Sequence, residues 1–232
     1  MVTVLPCHSL LFDLDGTLVD TAPDLCGALN HVLRLHGRAP LPLESVRHLV
    51  GGGARTLLAR GFGRETEPRP GEEEAFDQTV AEFLDYYEAH LADHSRPFPG
   101  VREALARLAE AGFALGIVTN KPEQLTRPLL HQLGLDAFFP CVVGGNTLTV
   151  HKPDPAPLFH ALACLGRPSR GAVMVGDSET DADAAHNAAI PVILVTYGYT
   201  RGRSVEEMSP ALTVSHFGDL PECVRFHSPA EN

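Results

Sequence analysis

The stretch LLFDLDGTLVD, residues 10–20, places two carboxylates where an apolar run ends. Asp13 and Asp15 are close enough in sequence for their charges to repel, unless a cation lies between them or one carboxyl group is protonated. The simpler alternative is that either aspartate caps the following turn. The first interpretation points to chemistry that uses a metal ion or a proton.

Other polar residues have the types that this chemistry needs. Asp177 and Asp181 in GDSETD are four residues apart, so a helix beginning there would carry both on one face and could offer oxygen ligands to Mg²⁺. Lys152 in HKPDP could pair with an anion or simply be a surface lysine. Thr119 and Asn120 could cap a helix or contact a phosphate at its N-terminus. Together these residues predict a phosphoryl-transfer site.

The elements that must position these residues alternate along the chain. HSLLFDLDG indicates a buried parallel strand, residues 20–95 show only helical patterns, and helix and strand alternate after RPFPG. This order predicts an α/β fold with a doubly wound, Rossmann-like parallel sheet. We expect a core domain of residues 1–20 and 96–232 and an inserted, all-helical cap domain of residues 21–95. Ligands bind at the carboxyl ends of such strands, where the polar residues fall.

Composition excludes several classes of partner. The chain has 232 residues and a formal net charge of −11, which argues against nucleic acid or an anionic membrane as the main partner. No apolar run reaches the length of about 20 residues that a bilayer crossing needs. The five cysteines are widely spaced and the N-terminus lacks the basic region of a signal peptide. We expect a cytoplasmic protein with reduced thiols.

Four motifs in this order, DLDGTLVD, VTNK, HKPDP and GDSETD, resemble those of the haloacid dehalogenase superfamily. The resemblance implies that Asp13 is a nucleophile forming an aspartyl-phosphate and that Asp15 is the general acid and base. The implied metal is Mg²⁺, with ligands from Asp13, the backbone carbonyl of Asp15, Asp177 and, directly or through water, Asp181. The implied phosphate-binding residues are Gly16, Thr119, Asn120 and Lys152.

The substrate is a small phosphorylated metabolite by the same resemblance. FDLDGTLVDTAPDL, VGGGARTLL and PFPGV are similar to the phosphoglycolate phosphatase branch, which implies hydrolysis of 2-phosphoglycolate. Gly52, Gly53 and Arg55 would then face the site from the cap and meet the substrate's carboxylate, although the glycines could simply form a tight turn. A monomer or a homodimer is expected.

Several alternatives remain open at this stage. A phosphatase of sugar phosphates, nucleotides or pyrophosphate, or a phosphotransferase resembling β-phosphoglucomutase, would use the same aspartates. A signalling receiver domain has a similar acidic site but is shorter and lacks a cap, and a binding protein without activity would not need every motif residue. We expect Tyr86 and Tyr87 to belong to the cap core or to a contact between chains.

Overall fold

The computed structural model describes residues 4–64, 68, 71–200 and 202–228, so the outer ends of the two predicted core ranges, 1–3 and 229–232, lie outside the described residues. The strands, in chain order, are β1 (Leu5–Cys7), β2 (Ser9–Phe12), β3 (Val19–Asp20), β4 (Arg96–Pro97), β5 (Ala114–Val118), β6 (Cys141–Val143), β7 (Ala172–Gly176), β8 (Val192–Val195), β9 (Leu212–Val214) and β10 (Val224–Phe226). The α-helices are α1 (Ala22–Leu35), α2 (Leu43–Arg47), α3 (Gly53–Gly61), α4 (Glu73–Ala89), α5 (Val101–Glu110), α6 (Glu123–Gln132), α7 (Ala156–Cys164), α8 (Glu179–Asn187) and α9 (Leu220–Cys223).

The central sheet is parallel and has the order β6-β5-β2-β7-β8-β9. Counted along the chain, its strands follow the order 3-2-1-4-5-6, which is the Rossmann order. This confirms the predicted fold class. The first strand of the sheet, β2, therefore lies between β5 and β7, and the direction of winding reverses between β2 and β7.

Helices cover both faces of this sheet because its strands are apolar on both sides. Leu10 and Phe12 of β2 belong to one apolar cluster, to which α5 and α6 contribute. Leu11 belongs to a second cluster with residues of α7 and α8. All residues of β2 and β7 are buried, which explains their continuous apolar sequences.

A helical insertion leaves the core between β3 and β4. These short strands pair antiparallel, with Val19 opposite Pro97 and Asp20 opposite Arg96, so the outgoing and returning chains cross side by side. The described residues between them form α1, α2, α3 and α4, and α1 packs against the other three. The domain boundaries at 20/21 and 95/96 stay a prediction, and the paired strands lie at these positions.

After the central sheet, the chain forms α9 and β10. β10 pairs in parallel with β1, which joins the two ends of the described chain. None of the helices in the described part of the chain combines the length and apolar character that a bilayer crossing requires.

Candidate active site

The site lies where the winding of the sheet reverses, at the carboxyl ends of β2 and β7. Phe12 is in register with Val175, and the Asp13 N–H donates to the Val175 carbonyl oxygen at 3.0 Å. Asp13 and Asp177 each follow the last residue of their strand. Strand pairing therefore sets these two carboxylates side by side in the crevice where open α/β sheets bind ligands.

Three buried carboxylates meet in this crevice. One oxygen from each of Asp13, Asp177 and Asp181 lies within 4.8 Å of the others. Asp181 is held by the start of α8, because its Oδ2 accepts hydrogen bonds from the Ser178 N–H at 3.1 Å and the Ser178 hydroxyl at 2.6 Å. This is a capping box, so the same side chain stabilises the helix and completes the acidic cluster.

Lys152 is the positive charge of the cluster. Its Nζ lies 2.5 Å from Asp181 Oδ1 and 3.0 Å from Asp13 Oδ1, and its side chain is 2% exposed. Burial alone would lower the pKa of Lys152, but Asp13 and Asp181 raise it above its usual value. The lysine is therefore a fixed cation beside Asp13.

One lysine does not compensate three carboxylates. Burial raises the pKa of Asp13 to about 7, with Lys152 opposing the shift. Burial, followed by repulsion from Asp181 and Asp13, raises the pKa of Asp177 well above its usual value. Asp13 Oδ1 is buried and has no hydrogen-bond partner of good geometry, although Lys152 is near. A buried, oxygen-only donor set with excess negative charge fits a hard divalent cation such as Mg²⁺.

Asp15 lies apart from the acidic cluster. Its carboxylate is not among the three clustered groups, and its Oδ1 is 3.2 Å from Lys121 Nζ. The Asp15 side chain therefore does not join the three clustered carboxylates, and the assignment of its backbone carbonyl to the metal stays a prediction. The side chain of Asp15 is 13% exposed and lines a cavity between the sheet and the helical insertion.

Two residues that sequence reasoning missed fix Asp177. The Thr17 hydroxyl donates to Asp177 Oδ1 at 2.7 Å, and the Tyr199 N–H donates to Oδ2 at 2.6 Å. Gly16, predicted to bind phosphate, packs directly against Asp177 and the Tyr199 ring. The Gly16 N–H already donates to the Val19 carbonyl oxygen at 2.9 Å, so a phosphate contact there needs a neighbouring amide.

Thr119 and Asn120 line the cavity at the end of β5. This position follows the rule that ligands bind at the carboxyl ends of parallel strands, here called the strand-end rule. The Thr119 hydroxyl accepts a hydrogen bond from the Lys121 N–H at 3.2 Å. The Asn120 side-chain amide donates to the Lys152 carbonyl oxygen at 3.0 Å and to the Gly51 carbonyl oxygen at 3.3 Å. Asn120 therefore connects the loop at Lys152 in the core to the loop at Gly51 in the helical insertion.

The cap residues predicted to contact substrate divide into two groups. Gly53 has a φ of +83° and lines the cavity. Gly52 is not a lining residue, and a Cβ there would lie 2.8 Å from the side chain of Thr56. Arg55 also does not line the cavity: its guanidinium lies 2.5 Å from Asp77 Oδ1 on α4, with the arginine side chain 40% exposed and the aspartate side chain 61% exposed. The structure therefore does not bring Arg55 to the site.

The cavity between sheet and helical insertion has a volume of about 40 Å³. The core contributes polar residues to its walls, here called the polar floor (Asp13, Asp15, Thr119, Asn120 and Lys121), and α1, α3 and α4 contribute apolar side chains. The lining residues are Asp13, Asp15, Leu25, Val50, Gly51, Gly53, Ala54, Leu57, Phe83, Leu84, Tyr87, Thr119, Asn120, Lys121, Pro122 and Leu125.

Tyr87 and Lys121 are lining residues that sequence analysis did not assign. Tyr86 stacks between His31 and His90 with ring centroids 4.1 Å apart on either side. Tyr87, expected only in the cap core or at a contact between chains, is buried and places its hydroxyl 2.5 Å from Lys121 Nζ. The strand-end rule that selected Thr119 and Asn120 could have included Lys121, whereas no sequence signal separates Tyr87 from Tyr86.

Known proteins resemble this chain in sequence and in fold. A family model described as haloacid dehalogenase-like hydrolase matches residues 10–195. The phosphoglycolate phosphatase of Caulobacter vibrioides is 44% identical over 214 residues, which cover 92% of this chain and 89% of that protein. The phosphoglycolate phosphatase of Agrobacterium fabrum is 42% identical over 211 residues, covering 90% and 89%. A predicted phosphoglycolate phosphatase from Haemophilus somnus superposes with a TM-score of 0.83 at 31% identity, covering 93% of this chain and 97% of that chain.

Proposed function

Because the chain belongs to the haloacid dehalogenase-like hydrolase family, we propose that it is a phosphatase that hydrolyses 2-phosphoglycolate to glycolate and phosphate through a phosphorylated Asp13. One observation carries the proposal: Asp13, Lys152 and Asp177 converge in one crevice, with Asp15 beside them. The two relatives described above carry the corresponding name and align over about nine tenths of this chain.

The reaction would proceed in two displacements. The Asp13 carboxylate attacks phosphorus, the bond from phosphorus to the ester oxygen breaks, and Asp15 gives its proton to that oxygen as glycolate leaves. Water then attacks the phosphoryl group on Asp13 and gives a proton to Asp15. This second step breaks the bond between phosphorus and the Asp13 oxygen, which releases phosphate and restores both carboxyl groups.

Charge compensation decides whether an anionic carboxylate can meet an anionic phosphate. Lys152, 3.0 Å from Asp13, supplies a fixed positive charge. Mg²⁺, held by Asp13, Asp177 and the backbone carbonyl of Asp15 with Asp181 in or near its shell, would supply the remainder. The buried surroundings strengthen these attractions because little water screens them.

The size of the cavity supports a small substrate. A volume of about 40 Å³ corresponds to roughly three water positions at 10–15 Å³ each. This space is smaller than a complete phosphate ester, so entry of any substrate needs the helical insertion to move away from the core. A short leaving group such as glycolate needs a smaller movement than a sugar or a nucleoside does.

The proposal is tested by ranking a panel of phosphate esters by kcat/KM for phosphate release. We expect 2-phosphoglycolate to lead the panel. Sugar phosphates that exceed it by more than about tenfold, or roughly 1.4 kcal/mol in transition-state binding, would refute this substrate but leave the phosphatase activity standing. Conversion of β-glucose 1-phosphate to an isomer would instead indicate a phosphotransferase.

The mechanism is tested separately with the variant Asp13→Asn, which should lose turnover. Mass spectrometry after rapid acid quench should detect a phosphoryl group on Asp13 of the wild-type protein. Substantial activity in Asp13→Asn, once deamidation has been excluded by mass, would contradict the nucleophile assignment. A stable phosphorylated Asp13 without turnover would favour a receiver-type function. The cytoplasmic location and the monomeric or homodimeric state stay predictions.

A further inference from the structure

Lys121 forms a buried contact between the core and the helical insertion that the proposed mechanism does not use. Its side chain is 3% exposed. Its Nζ lies 3.2 Å from Asp15 Oδ1, 2.5 Å from the Tyr87 hydroxyl and 4.3 Å from the centre of the Tyr87 ring. A buried ammonium group costs free energy unless charged or polar partners surround it, so its position at a cavity calls for a reason.

The two buried lysines pair with different aspartates of the site. Lys152 contacts Asp13 and Asp181, the groups assigned to the phosphoryl side of the reaction. Lys121 contacts Asp15, the residue assigned to the leaving oxygen. The atoms of the leaving group lie just beyond that oxygen. A negative charge on a short leaving group would therefore lie next to Lys121.

The remaining cavity wall offers such a charge no other cation. Among the described residues that line the cavity, Asp13, Asp15 and Lys121 are charged, and only Lys121 is positive. Arg55, the cation that the sequence favoured for this role, pairs with Asp77 outside the cavity. The apolar neighbours, Leu25, Leu57, Phe83, Leu84 and Leu125, exclude water and would strengthen a charged hydrogen bond.

We propose that Lys121 and Tyr87 bind the carboxylate of the substrate and so select an acidic leaving group. This inference rests on the proposed function and assigns its specificity. The Tyr87 oxygen accepts a hydrogen bond from Lys121, which leaves the tyrosine proton to be donated to a substrate oxygen. Lys121 comes from the core and Tyr87 from α4. The carboxylate is therefore bound fully only when the helical insertion lies against the core.

The test compares two substrates that differ at one group. 2-Phosphoglycolate and 2-hydroxyethyl phosphate share a two-carbon leaving chain, but the second has an uncharged hydroxymethyl group in place of the carboxylate. The kcat/KM ratio of the two substrates is measured for the wild type and for Lys121→Met, Lys121→Arg, Tyr87→Phe and Arg55→Met. Arg127→Met serves as the matched control, because it removes an exposed positive charge that pairs with Glu123 on α6.

We expect Lys121→Met to lower the preference for 2-phosphoglycolate by about ten- to a hundredfold, the range for a charged hydrogen bond in a buried site. Tyr87→Phe should lower it by a smaller factor, mainly through KM, and Lys121→Arg should retain part of it. Arg127→Met should retain the wild-type ratio. Phosphate release from 2-hydroxyethyl phosphate by each variant shows that the variant is folded and able to turn over.

Three results would overturn the inference. If Lys121→Met lowers both substrates by the same factor, Lys121 acts only through Asp15. If Arg55→Met loses the preference and Lys121→Met retains it, the arginine binds the carboxylate. If the wild type does not prefer 2-phosphoglycolate over 2-hydroxyethyl phosphate, the proposed substrate is wrong and the specificity assignment fails with it. The first two results would leave the proposed function intact.

Discussion

Substitution of Gly16 by alanine should damage the metal site from a position that carries no functional group. Gly16 has a φ of +89°, a backbone conformation that costs an alanine about 1–2 kcal/mol. An added Cβ would overlap Asp177 Oδ2 and lie 2.7 Å from Cδ2 of the Tyr199 ring. Both neighbours are buried, so neither can move away without disturbing other contacts.

The magnitude follows from what Asp177 would lose. Its carboxylate accepts hydrogen bonds from the Thr17 hydroxyl at 2.7 Å and the Tyr199 N–H at 2.6 Å. A hydrogen bond to a charged group contributes about 1.5–3 kcal/mol. Weakening one of the two, added to the backbone cost, predicts that Gly16→Ala lowers the free energy of unfolding by about 3–4 kcal/mol. It should also raise the Mg²⁺ concentration that gives half of full activity.

Gly37→Ala is the matched control for the cost of placing an alanine at a positive φ. Gly37 has a φ of +66°, and no heavy atom lies within 4 Å of the Cβ that alanine would add. This variant should lose only the backbone cost of about 1–2 kcal/mol and keep the wild-type Mg²⁺ dependence. Urea unfolding gives the free energies, and Mg²⁺ titration of phosphate release gives the second readout. Equal losses in both variants, with unchanged Mg²⁺ dependence, would refute the argument that Gly16 makes room for Asp177.

Three further predictions concern the charges of the site and of the insertion. In metal-free protein, Asp13→Asn should raise the melting temperature more at pH 8 than at pH 5. The folded pKa of Asp13 is about 7 against an ordinary value of 3.8, so ionised Asp13 destabilises the fold increasingly as pH rises towards 7, by up to about 4 kcal/mol. An equal gain in melting temperature at both pH values would contradict this. EDTA should abolish phosphate release and lower the melting temperature, and Mg²⁺ should restore both, whereas activity that survives the chelator would argue against the acidic cluster as a metal site. Asp24→Ala should lower the free energy of unfolding by about 3 kcal/mol, because the buried carboxylate accepts hydrogen bonds from the His94 N–H, the Ser95 N–H and the Ser95 hydroxyl. Asp24→Asn keeps an acceptor oxygen, so its free energy of unfolding should fall by less in the same urea experiment.

The sequence alone determined the fold class and most of the polar floor of the site. Buried parallel strands are apolar on both faces and end abruptly, so β2, β5 and β7 were visible as short runs followed by Asp13, Thr119 and Asp177. Because parallel strands share one carboxyl edge, the residues after them could be placed together without coordinates. The strand-end rule is local and needs no knowledge of which helices cover the sheet.

Only the tertiary structure determined which residues of the helical insertion surround the polar floor. Tyr87 and Tyr86 are adjacent on α4, and only the packing of the insertion on the core determines that Tyr87 reaches Lys121 while Tyr86 stacks between histidines. Arg55 could be counted as a substrate contact from its glycine loop, yet the distance to Asp77 depends on how α3 meets α4. Contacts between elements far apart in sequence depend on packing angles and helix rotation, which local patterns of polarity do not encode.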